Sequence, residues 1–252
     1  MKTIERVKQE LSRAWTIAKK DIRIYYFKPP VLIYGIIFPF FLFLAFAIGR
    51  NISPISLFPG IIGMTLFFTA SSVGPIIMPW EARMRTLERL LSCPVSIQFI
   101  LLGDIFAGFL FGIIISLVPF LFAILGFGLA MRNLSFFILS IFFSSFCFSS
   151  LGILLSSLPT DNPSNIMMLS NLVRLPIIFI SGIFIPIERL PRVGKIVANF
   201  SPLTYTVDLL RCGFEGVSQY SVIRNVSMLI LFLAIFLLLG MKLHKRNLAK
   251  RL

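Results

Sequence analysis

Of 252 residues, 57% are hydrophobic and only 13% charged, about half the charged share of a soluble domain, and the mean hydropathy is +0.93. A water-facing exterior could not cover so much apolar surface, so lipid is the natural solvent and there is little room for a separate soluble domain. The net charge of +14 would suit nucleic acid or anionic headgroups, but Lys and Arg gather at the chain ends and in one internal loop, beside apolar runs, which favours the membrane surface over nucleic acid.

Residues 1–28 are charged but periodic. Ile4, Val7, Leu11, Trp15, Ala18, Ile22 and Tyr25 recur at three- and four-residue steps, with Lys8, Arg13, Lys19, Lys20 and Arg23 between them. This spacing predicts an amphipathic helix lying in the membrane interface, ended by Lys28-Pro29-Pro30. So long and charged a lead is unlike a cleavable signal peptide, and the N-terminus is expected to be retained. Six apolar stretches follow, near 31–49, 57–79, 101–129, 136–158, 166–187 and 221–241. Each reaches the roughly 17–25 residues a span needs. The expected fold is therefore all-α: an interfacial helix over 1–28 and a six-span domain over 29–252. Pro39, Pro119 and Pro176 are expected to bend their spans.

With the N-terminus inside, the inner segments carry sixteen Lys and Arg and the outer segments seven, which predicts both termini in the cytoplasm. Two connections exceed a turn. Residues 80–99 form a polar inner loop. The long outer segment 188–220 holds two short amphipathic pieces, about 192–200 and 203–214, divided by Ser201-Pro202. Neither can cross the bilayer, so both must lie at the interface or be covered by protein.

No chemistry of catalysis is legible. A phosphate-binding loop needs a glycine five residues before Gly-Lys-Ser/Thr, but Gly194-Lys195 is followed by Ile196 and preceded at that spacing by Arg189. His244 is the sole histidine, read as solvated or facing headgroups, so neither a paired-histidine zinc site nor a Ser-His-Asp triad can form. Cys93, Cys147 and Cys212 make no CxxC pair. Asp104, Asn171 and Arg174 stand inside or at the ends of spans, where polar groups mark either a pathway or an interhelical bond; for Arg174 snorkelling also remains open. The serines of the fourth span, Ser140, Ser144, Ser145, Ser149 and Ser150, suit close helix packing.

In the inner loop, Glu81, Arg83, Arg85, Glu88 and Arg89 alternate in sign along one expected helix. Met84, Leu87, Leu90 and Leu91 give it an apolar side and Pro94 ends it. By pattern alone it is either a docking helix for a soluble partner or a solvated loop.

The stretch from Glu81 to Ser96, with its E-x-R-M-R-T-L-E-R-L-L-S-C-P-V-S run, resembles the inner loop of the type-2 ABC-transporter permeases, the membrane subunits of ABC exporters. The run Phe179-Ile180-Ser181-Gly182-Ile183-Phe184-Ile185-Pro186-Ile187-Glu188, with Leu190-Pro191 and then Asn199 to Arg211, is similar to that family's outer signature, in particular to the branch of the daunorubicin-resistance permeases. Family members often carry Thr before the inner-loop proline, where this chain has Cys93. The resemblance covers nearly the whole chain. It implies an efflux permease in the cytoplasmic membrane, paired with a second copy or a paralogue, with drugs, lipids, glycans and peptides all open as its substrate. It also implies separate ATP-binding cassette subunits that hold ATP and Mg, with no cofactor in this chain. On this resemblance Glu81, Arg83, Arg85, Glu88, Arg89 and Pro94 occupy the ATPase-coupling region. Ser181, Gly182, Pro186, Glu188, Pro202, Tyr205, Asp208 and Arg211 occupy an outer gate. The competing readings are a self-contained secondary transporter or channel, and a membrane-embedded lipid-modifying enzyme. Against them stand the lack of a convincing internal repeat and of clustered His, Asp or Glu.

Overall fold

The computed structural model describes residues 2–25, 33–47, 53–158, 160, 162–184, 187 and 190–247, and it is all-α in these residues. Helix α1 (Lys2–Tyr25) is followed by a π turn (Ile33–Ile37) leading into α2 (Phe38–Ala47). Next come α3 (Pro54–Arg83), the short α4 (Thr86–Ser92), and α5 (Ile97–Leu121), which continues through a second π turn (Phe122–Gly126). The remainder is α6 (Leu134–Leu155), α7 (Pro163–Ile180), α8 (Arg192–Ala198), α9 (Pro202–Phe214) and α10 (Val222–Asn247). Helices α3, α5 with its π turn, α6, α7 and α10 are long and apolar enough to cross a bilayer. The expected first span, 31–49, corresponds to the π turn and α2, and its two ends lie outside the described residues.

The proline signals place several boundaries. Pro54, Pro163 and Pro202 open α3, α7 and α9 in the first helical turn, where the missing N–H has no partner to lose. Pro119 lies in the last turns of α5, just before the backbone widens into its π turn, the kind of local defect a mid-helix proline favours. The fifth span is shorter than expected. It stops at Ile180 because Gly182, at φ +80°, turns the chain away.

Helix α3 is the hub, packed against α5, α6, α7 and α9 and buried over almost its whole apolar length, whereas α10 and α7 expose most of theirs. Small residues permit the close approaches. A Cβ on Gly108 would lie 2.8 Å from the Ala70 carbonyl oxygen, and one on Gly152 would lie 2.6 Å from that of Ser71. These are the backbone-to-backbone contacts on which helix association in lipid depends, where apolar side chains gain nothing by leaving the hydrocarbon.

The periodicity of α1 is as expected, and beside its bulky apolar stripe the helix buries a narrower face against the bundle. Ala14, Ile17, Ala18 and Asp21 are buried, while Leu11 and Trp15 are 46% and 47% exposed. The small residues give α1 its fit against α5, where a Cβ on Gly103 would sit 2.8 Å from the Ala14 carbonyl oxygen. The bulky residues form an adjacent stripe left for the interface.

Candidate functional site

Polar side chains collect at three levels of the bundle. At one end, α1, α3, α4 and α5 meet. Lys20 donates to a Glu81 carboxylate oxygen, and its Nζ is 3.0 Å from Asp21 Oδ1. Asp104 of α5 faces Asp21. Asp21 and Asp104 are each 1% exposed and Glu81 7%. Burial opposes the charge of Lys20, but Asp21, Glu81 and Asp104 outweigh it and hold the ammonium protonated well above its ordinary range. Burial also raises the Asp21 carboxyl, against the opposing pull of Lys20. One cation thus stands among three acids. Arg13 of α1 donates to the Pro94 carbonyl just beyond α4, a second tie between the interfacial helix and the inner loop.

The expected single helix over Glu81–Leu91 is broken. Arg85 adopts φ +55°, ψ +20°, so α3 ends and α4 begins in a new direction. The left-handed conformation costs a non-glycine residue about 1–2 kcal/mol and marks this turn as held by its surroundings. Glu81 therefore does not share an outward face with Glu88. It turns inward to Lys20, so a role for it in direct docking is corrected. Arg83, Arg85, Glu88 and Arg89 remain exposed, and Leu87 anchors α4 by its burial.

At mid-depth, Arg174 is 1% exposed and its Nη2 donates to the Ser71 carbonyl of α3. That carbonyl is the group against which Gly152 of α6 packs, so α3, α6 and α7 converge there. Asn171, one turn earlier, is half-buried. Asp104 is not part of this group. Glu81, with which it clusters, lies ten residues along α3 from Ser71, about 15 Å of helix rise.

At the other end, every residue of the short helix α9 but Arg211 is buried. Protein therefore covers it, one of the two placements open to a helix too short to cross a bilayer. Its polar groups are paired. Ser140 of α6 donates to the Thr206 carbonyl at 3.0 Å, and the Ser144 and Thr206 hydroxyls are 2.8 Å apart. Tyr205 donates to the Asn199 carbonyl at 2.8 Å, and Arg211 donates to the Gly182 carbonyl at 3.0 Å. The Asp208 carboxylate accepts from Asn225 Nδ2 at 2.7 Å, Ser218 Oγ at 2.8 Å, and the backbone N–H groups of Gln219 at 2.8 Å and Tyr220 at 3.0 Å. Ser181 closes on its own helix by donating to the Ile178 carbonyl at 2.7 Å. Pro202 is buried at the head of α9, and Pro186 and Glu188 lie outside the described residues.

Sequence reasoning missed several participants. Lys20 was assigned to a polar face and Asp21 to nothing, since neighbours in sequence give no helical pairing signal. His244 is not solvated: at 3% exposure its Nε2 donates to the Ile153 carbonyl at 2.9 Å, locking α10 to α6. Among the described residues no group of His, Cys, Asp and Glu could hold a metal ion.

Apolar spans around a buried hub, with a short helix clamped in protein at one end and a charged joint at the other, define a polytopic all-α membrane protein. Residues 12–214 match the ABC-2 type transporter family, and the chain belongs to that family. It is 31% identical to Nodulation protein J of Rhizobium leguminosarum bv. trifolii over 103 residues, 41% of this chain and 39% of that protein. It is 22% identical to Inner membrane transport permease YadH of Escherichia coli (strain K12) over 189 residues, 75% of this chain and 73% of the relative. The chain therefore aligns with well under half of the nodulation protein and about three quarters of the permease.

Proposed function

We propose that this chain is the membrane-spanning permease subunit of an ATP-driven exporter, acting with a second copy or a paralogue and with separate ATP-binding cassette subunits that hold ATP and Mg. Family membership supports the transporter class, and the relative named as an inner membrane transport permease supports the placement in a cytoplasmic membrane. The chain itself carries no phosphate-binding loop.

The observation that carries the coupling reading is the turn at Arg85. It presents Arg83, Arg85, Glu88 and Arg89 outward on a kinked element whose inner side is tied to α1 through Glu81 and Lys20. A push on α4 from a soluble partner passes directly to the interfacial helix and, through Asp104 and Gly103, to α5. Reversing exposed charges with Arg83→Glu and Glu88→Lys juxtaposes like charges at such an interface, which costs several kcal/mol. The double variant is expected to insert normally but to co-purify poorly with its ATPase, or to leave ATP turnover uncoupled in the reconstituted complex. Wild-type co-purification together with transport at the wild-type rate would sink the coupling role.

Both termini and α4 are assigned to the cytoplasm from the excess of Lys and Arg in those segments. In a background lacking Cys93, Cys147 and Cys212, a membrane-impermeant thiol reagent added outside intact cells is expected to label Arg192→Cys and not Arg85→Cys. The opposite pattern inverts the topology.

A further inference from the structure

Between α1, the end of α3 and α4 lies a cavity of about 380 Å³, within the roughly 300–1,000 Å³ typical of small-molecule sites. One wall is apolar, with Ile76, Ile77 and Trp80 along α3. The mouth is set by side chains that are themselves exposed, Ile24 at 51% and Trp80 at 45%. The polar floor is Lys20, Asp21 and Glu81. Lys20 satisfies one oxygen of Glu81, yet Glu81 Oε2 has no hydrogen-bond partner, although the side chain is more than nine-tenths buried; Asp21, buried beside it, pairs with Lys20 and Asp104. Arg89 also lines the cavity, from its α4 side.

Buried carboxylate oxygens without donors are costly, and they accept whatever brings N–H groups and positive charge. With Asp104 behind Asp21, three acids, Asp21, Glu81 and Asp104, stand against two bases, Lys20 and Arg89. A hydrated inorganic cation would gain nothing from the apolar wall, and the floor does not form a metal-ligand group among the described residues. An anion would meet the carboxylates. What fits both surfaces is a molecule with an ammonium head and an apolar body, presented from the interface in which α1 lies.

We propose that this cavity binds the ammonium group of an amphiphile, the amine meeting Asp21 and Glu81 and the apolar body lying along Ile76, Ile77 and Trp80. The site belongs to the permease alone, so it is measured without an ATPase, and its failure would leave the coupling reading untouched.

Because the chain has two tryptophans, Trp15→Phe makes Trp80 a single reporter inside the cavity. The purified chain in phosphatidylcholine nanodiscs would be titrated with dodecylammonium, and in parallel with dodecanol and dodecyl sulfate as chains of equal length. The expected result is a saturable change in Trp80 fluorescence for the amine only. Asp21→Asn should weaken it roughly tenfold or more, the scale of one charge-assisted hydrogen bond. Ile76→Phe, which fills the cavity without touching its charges, should weaken it as well and guards against misfolding of the Asn variant. Adding phosphatidylethanolamine separates two sources of the same chemistry: amine affinity falls if the bilayer's own ammonium headgroups occupy the site, and holds if the ligand is a dissolved amphiphile. Equal responses to the three chains, undiminished amine binding by the Asp21→Asn variant, or no saturable response to the amine would overturn the proposal.

Discussion

Gly152→Val is expected to prevent assembly of the bundle. Even the first added carbon would stand 2.6 Å from the Ser71 carbonyl oxygen and 3.0 Å from its carbonyl carbon, backbone atoms that cannot swing aside as a side chain tip would. The neighbouring approach is as tight, since a Cβ on Gly74 would lie 2.9 Å from the Gly152 carbonyl oxygen. Helices α3 and α6 would have to separate along the seam. The same Ser71 carbonyl accepts the bond from Arg174, so a shift of α3 at the seam also disturbs its tie to α7. Overpacking costs about 1–3 kcal/mol. Gly126, at the π turn, is the control: a Cβ there meets only the Phe122 ring, at 3.3 Å. Gly126→Ala should melt within a few degrees of wild type in detergent, whereas Gly152→Val should give little monodisperse protein. Equal yields and melting temperatures for the two would show that the seam yields easily.

The spans, the interfacial helix and the division of the outer segment at Ser201-Pro202 were legible because each rests on a local rule: apolar length, helical spacing or proline chemistry. What was not legible arises between elements. Glu81 looked like one of several loop charges four residues from Arg85, yet the turn at Arg85 breaks that face, and its partner is Lys20, 61 positions away. Asp21 has no signal of its own because its neighbours are supplied by α3 and α5. Leu11 and Trp15 mark the apolar stripe left for the interface, whereas hydrophobicity gives no mark to Ala14 and Ala18, which face the protein. Packing against Gly103 selects for small size instead. The burial of His244 follows from α10 running on to Asn247, several residues past the apolar stretch that marked the span. Arg174 stands out in the sequence as a charge within a span, but the backbone carbonyl that receives it carries no sequence mark.

Asp208→Ala is expected to release α9. In the intact protein one carboxylate accepts from the N–H groups of Gln219 and Tyr220 and from Asn225 at the head of α10, while the Ser218 hydroxyl is shared between it and the Tyr220 carbonyl. Asn225 is fully buried and Asp208 is 5% exposed, so water cannot replace the lost acceptor without opening the structure. Each stranded donor costs about 1–3 kcal/mol, and losing one partner of a buried charged network typically costs about 3–5 kcal/mol in all. Asp208→Asn should fall between, since it keeps one acceptor oxygen but turns a second donor toward the others. Cys212 provides the readout. It lies one turn beyond Asp208 and is 6% exposed, and once the exposed Cys93 is replaced by Ser the remaining Cys147 is buried at 0% in the core. Maleimide labelling of Cys212 should be slow in the wild-type background and fast in the Asp208→Ala variant, together with a lower melting temperature. If the variant melts with the wild type and keeps Cys212 protected, α9 is held by its apolar burial and by the Ser140 and Ser144 contacts to Thr206, and the carboxylate is dispensable as a clamp.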